Sequence, residues 1–166
     1  MRLTLAILTP FALTLAACSS ETSGTFEGED GETGEYTIDS STGEATATIT
    51  TEEGTATLRS GASVPVELPA GFTTYPGAEV VSNTVVQQGR GSGNLLTMMS
   101  SDSPDKVAAF YKAQAEEAGV KIQMEMATNG AQIIGGESEN GLTFSIMASP
   151  SEEGTTAQLT VGQQID

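Results

Sequence analysis

Alternation of apolar and polar side chains in the carboxyl-terminal third most strongly limits the folds open to this chain. Residues 142–148 and 157–161 carry an apolar side chain at every second position. Asn-Gly pairs at 129–130 and 140–141 are typical of two-residue hairpin turns. Because a period of two places the apolar side chains on one side of a strand, these segments predict an antiparallel sheet with one buried and one wet face.

One amphipathic helix is predicted to lie on this sheet. Ser103-Pro104-Asp105 is typical of a helix start, since it offers a cap, a first-turn proline and an acidic side chain near the positive end of the helix dipole. Gly119 predicts the end of the helix. Two strands are expected before it, over 80–88 and 94–100, and four after it. The sequence therefore predicts an α+β fold with the order ββαββββ, preceded by a short Thr-rich β meander.

The amino-terminal part of the chain differs in composition and is predicted to be organised separately. Residues 18–34 are acidic and Gly-rich with one large apolar side chain, Phe26, which is typical of a flexible tether. Residues 35–61 contain a weak nine-residue repeat of Thr, Ala and Glu, which predicts short strands exposed to solvent. The α+β domain then covers residues 62–166. Binding of divalent ions by the acidic repeats is an open alternative.

The charge balance excludes several classes of protein. The 166 residues include 22 acidic and 6 basic side chains, no His and one Cys, with a formal net charge of -16. Nucleic acid is excluded as a partner, because neutralising phosphates requires Lys and Arg. Cys/His metal sites, the Ser-His-Asp triad and the Cys-His dyad cannot be built from this composition. We therefore expect a protein that is not an enzyme and has no cofactor.

The first 18 residues indicate how the protein is attached to the cell. Residues 1–15 form a mostly apolar run that is shorter than the roughly 20 residues needed to cross a bilayer, as in a secretory signal. The string Leu-Ala-Ala-Cys at 15–18 follows, and it resembles the lipobox of bacterial lipoproteins. The resemblance implies that signal peptidase II removes residues 1–17 and that Cys18 carries the lipid anchor, whose acyl chains include palmitate. In this family, an acidic residue directly after the lipidated cysteine is associated with retention in the inner membrane, and Ser19 is not acidic. The resemblance therefore favours an anchor in the outer membrane, with the protein facing the periplasm.

These features predict a lipid-anchored envelope lipoprotein that acts as a non-enzymatic binding or accessory module. Its partners would be the membrane, through the anchor, and an envelope protein or a small ligand. One alternative is a hydrolase that uses carboxylates alone, with Glu137 and Glu139, or Asp102 and Asp105, as the candidate pair.

The methionines offer a second alternative. Met124 and Met126 occupy the same side of a predicted strand, and thioethers are suitable ligands for Cu(I). Methionine is also a common filler of irregular cores, and that interpretation is favoured here.

Overall fold

The protein is built on one large antiparallel sheet. The computed structural model describes residues 21–27, 33–51, 54–89 and 91–163, and strands make up 62% of it. The elements are β1 (Glu21–Glu27), β2 (Thr33–Asp39), β3 (Glu44–Thr51), β4 (Gly54–Gly61), β5 (Glu79–Gln88), β6 (Gly91–Ser100), α1 (Pro104–Glu117), β7 (Lys121–Thr128), β8 (Ala131–Glu137), β9 (Leu142–Ser151) and β10 (Gly154–Gln163). All ten strands are hydrogen-bonded in the order β1-β2-β3-β4-β5-β6-β10-β9-β8-β7.

The predicted α+β class with its ββαββββ arrangement is wrong, because the fold is β-rich and the sheet has ten strands. The repeats predicted as a separate meander are strands β2, β3 and β4 of that sheet. β4 pairs with β5 from Ala56 opposite Gln88 to Gly61 opposite Asn83. An unpaired edge of β5 would leave backbone N–H and C=O groups without partners, and β4 provides those partners. Alternation in the sequence sets the face of each strand but does not show which edges pair.

The segment predicted as a flexible tether contains a strand. β1 pairs with β2 along its whole length, from Glu21 opposite Asp39 to Glu27 opposite Thr33. Aromatic side chains cover glycines across this pair, as Tyr36 covers Gly24: a Cβ added there would lie 2.6 Å from the Tyr36 hydroxyl oxygen. Such aromatic–glycine pairs stabilise edge strands that are poor in large side chains.

The hydrophobic core lies on one face of the sheet. α1 packs across β7, β8, β9 and β10, and residues 62–78, here called the connector, cover the same face through Phe72 and Tyr75. The Phe72 ring stacks on that of Phe144 with centroids 5.7 Å apart. The opposite face is here called the open face. Its described side chains are half-buried or exposed, so the sheet is covered by a second layer on one side.

The helix begins and ends where the sequence predicts, although Ser103 at its N-cap makes no side-chain capping hydrogen bond. Pro104 occupies the first turn, and Gly119 adopts a φ of +85°, which glycine tolerates at a helix end. Val107, Tyr111 and Ala115 are its buried contacts with the sheet. No helix among the described residues is long and apolar enough to cross a membrane.

Candidate functional site

A cavity of about 170 Å³ lies between the connector and the α1 side of β4 and β5. Prolines make the connector irregular, so it passes over the sheet without pairing to it. The cavity has an apolar wall and a polar rim. It is lined by Thr57, Arg59, Val64, Pro65, Glu67, Val85 and Gln87.

Two buried asparagines lie beside this cavity in the sheet, although neither is among the residues that line it. The Asn83 Nδ2 donates a hydrogen bond of 2.8 Å to the carbonyl oxygen of Pro65, while its Oδ1 accepts none from the described residues. Asn94 lies opposite Val85 in the sheet register, and its Nδ2 likewise has no acceptor among the described residues. A buried polar group without a partner costs about 1–3 kcal/mol.

The rim of the cavity carries no uncompensated positive charge. Arg59 Nη2 lies 2.7 Å from Glu44 Oε1, and its Nε donates to the same oxygen at 3.2 Å. The other cations in the described part of the chain are also paired: Lys106 with Asp102, Lys112 with Glu125 and Lys121 with Glu139. Because the chain as a whole has a formal charge of -16, its field repels anions. The cavity therefore suits a neutral molecule better than an anion.

A second polar cluster joins the connector to the start of α1. Asp102 accepts hydrogen bonds from Lys106 Nζ at 2.9 Å and from the Tyr75 hydroxyl at 2.8 Å, and these bonds lower the pKa of its carboxyl group. The same pairing raises the pKa of Lys106, and burial raises the pKa of Tyr75. All three groups thus keep one protonation state near neutral pH, whereas a general acid or base must exchange its proton there. Asp105 bonds elsewhere, to Gln132 at 2.6 Å.

The other predicted carboxylate pair is also engaged by separate neighbours. Glu137 accepts a hydrogen bond of 3.1 Å from Gln123, and Glu139 lies 2.6 Å from Lys121 Nζ. Both carboxylates are exposed to solvent.

The structure places Met124 and Met126 on the same side of β7, as the sequence predicts, but on the open face. Their side chains are 45% and 50% exposed, so the interpretation of core packing is wrong for both, whereas Met98 is buried in the core. Within the described residues, no three His, Cys, Asp or Glu side chains are grouped to hold a metal ion. Cu(I) binding by the two methionines stays a prediction, and Cys18 lies outside the described residues.

Sequence reasoning missed the cavity, although one signal of it was present. Asn94 has the same alternation phase as Leu96 and Met98, which are buried. A polar side chain in the buried phase of a strand marks a place where the core must satisfy a donor and an acceptor.

Comparison with known families adds a likeness for part of the chain. Residues 80–155, just under half of the sequence, match the family model described as START domain-like. The matched span runs from β5 into the first residues of β10 and includes α1. No curated protein and no solved structure matches the chain. START-like domains are generally ligand-binding rather than catalytic, so the match indicates a ligand-binding module.

Proposed function

We propose that this chain is a lipid-anchored, non-enzymatic ligand-binding protein of the bacterial cell envelope, and that the cavity under the connector is its ligand site. The observation that carries the proposal is the cavity itself, whose lining combines apolar Val64 and Val85 with the polar side chain of Gln87. The START-like match supports the ligand-binding role. It covers Val85 and Gln87 of the cavity wall, while the other five lining residues precede the matched span.

The dimensions of the cavity limit the ligand. Its volume is about 170 Å³, and a cavity of about 150 Å³ is large enough to bind benzene. The ligand is therefore a neutral molecule of about six to ten non-hydrogen atoms. Its apolar body would contact Val64 and Val85, and a group that donates and accepts hydrogen bonds would contact Thr57 or Gln87. A larger lipid would place one end in the cavity and leave the rest outside.

Mass spectrometry of material that co-purifies with the full chain tests this proposal. Val85→Phe fills the cavity, whereas Val86→Phe changes the next residue of β5, whose side chain lies on the open face. We expect one small compound to be released on denaturation from the wild type and from Val86→Phe, and to be absent from Val85→Phe. Equal retention by both variants, or no released compound from the wild type, would overturn the cavity as the ligand site.

The anchor is tested separately. In the proposed arrangement Cys18 carries the lipid, and the chain faces the periplasm from the outer membrane. Cys18→Ser should abolish incorporation of labelled palmitate and leave the signal sequence uncleaved by signal peptidase II. The uncleaved protein should be missing from outer-membrane fractions. Undiminished palmitate labelling of Cys18→Ser would show that the attachment proposed here is wrong.

A further inference from the structure

The strands β1–β4 separate charge from apolar surface completely. Residues that pair across an antiparallel sheet share a face, and the register therefore assigns each side chain to one side. Every charged side chain of these four strands lies on the α1 side: Glu21, Glu27, Glu35, Asp39, Glu44 and Arg59. The open face of the same strands carries the large apolar side chains, namely Phe26, Tyr36, Ile38, Ile49 and Leu58.

The aromatic side chains of this surface are held in place but remain accessible. Phe26 lies over Gly34 and Tyr36 lies over Gly24, so each ring rests on the backbone of the neighbouring strand. Phe26 is nevertheless 43% exposed and Tyr36 38% exposed. Exposed apolar surface bordered by polar residues is typical of an interaction site.

The position of this surface along the chain indicates what covers it. Cys18 precedes the first residue of β1, Glu21, by three residues. Three residues span at most about 11 Å when fully extended. If Cys18 is lipidated, as we propose, Glu21 at the start of β1 is held within that distance of the bilayer surface, and Phe26 follows five residues later in the same strand.

We propose that the open face of β1–β4 lies against the lipid bilayer that holds the anchor, with Phe26 and Tyr36 at the boundary between headgroups and acyl chains. Aromatic side chains are favoured at this interface. The arrangement directs the carboxylates of these strands away from the lipid, which avoids repulsion by anionic headgroups. This inference rests on the proposed anchoring of Cys18.

Tryptophan fluorescence of the full lipidated chain tests the orientation. The chain contains no Trp, so Tyr36→Trp introduces one reporter on the open face, and Thr37→Trp introduces a matched reporter at the next residue on the charged face. Each variant is reconstituted into phosphatidylcholine vesicles with or without brominated acyl chains. We expect about twofold quenching by the brominated lipid for Tyr36→Trp and little for Thr37→Trp, since contact with the acyl region is needed. Phe26→Trp repeats the measurement should Tyr36→Trp fail to fold.

The outcomes separate this inference from the anchoring proposal. Flotation of the chain with vesicles and the mass of the acylated Cys18 report on the anchor alone. An acylated, floating chain with equal or no quenching in both variants would overturn the orientation and leave the anchor intact. Protection of Tyr36→Trp from aqueous iodide, without quenching by brominated lipid, would identify a second copy of the chain as what covers the open face. That result would also overturn the proposed orientation. Absence of acylation would overturn both proposals.

Discussion

Two adjacent leucines on β6 allow the one-sided core to be tested by a matched pair of substitutions. Leu96 is 0% exposed and lies between Asn83 of β5 and Leu159 of β10, whereas Leu95 is 41% exposed on the open face. Truncating a fully buried leucine to alanine removes its transfer free energy and leaves a cavity, which costs about 2–5 kcal/mol. We expect Leu96→Ala to lower the free energy of unfolding by about 3 kcal/mol, and Leu95→Ala by about 1 kcal/mol or less.

Urea unfolding followed by far-ultraviolet circular dichroism measures both values in the full chain. The midpoint should fall clearly for Leu96→Ala and slightly for Leu95→Ala, with similar slopes if both variants unfold in two states. An equal loss of stability in the two variants would refute the reasoning, because it would mean that the open face is as well packed as the face under α1.

Three further predictions concern individual groups. A hydrogen bond from Lys106 is the chief cause that lowers the pKa of Asp102 from 3.8. The ionised carboxylate therefore stabilises the fold above pH 3.8, and this stabilisation is lost as the pH falls through the pKa of the folded state. Asp102→Asn should accordingly flatten the acid limb of a stability–pH profile. Burial raises the pKa of Tyr111 from 10.0 to about 12, so stability should fall between those pH values by up to about 2–3 kcal/mol, and less in Tyr111→Phe. Gly136→Ala should lower the urea midpoint because a Cβ would overlap the β7 backbone, whereas Gly93→Ala, with its nearest neighbour at 3.9 Å, should not.

Local signals in the sequence predicted individual elements well. The alternation over 142–148 falls in β9 and that over 157–161 in β10, and Pro104 begins the helix. Each of these features is decided by neighbours in sequence: side-chain period, capping and backbone conformation.

Features set by distant contacts could not be predicted in the same way. Pairing of β4 with β5 makes one ten-stranded sheet of what the sequence predicts as two units. β1 is stabilised by Tyr36 lying over Gly24, a contact that composition does not reveal in an acidic, Gly-rich segment. The cavity requires the connector to lie over β5, and nothing local to the connector specifies that position.

The central claim, that the cavity binds a small neutral ligand, is tested most directly by the side-chain amide signals of Asn83 and Asn94 in ¹⁵N–¹H spectra of the full chain. Benzamide is a suitable probe, because it combines an apolar ring with a group that donates and accepts hydrogen bonds. We predict that benzamide shifts both signals in the wild type and in Val86→Phe, and shifts neither in Val85→Phe. Unchanged Asn83 and Asn94 signals in the wild type, or the same shifts in Val85→Phe, would contradict the claim.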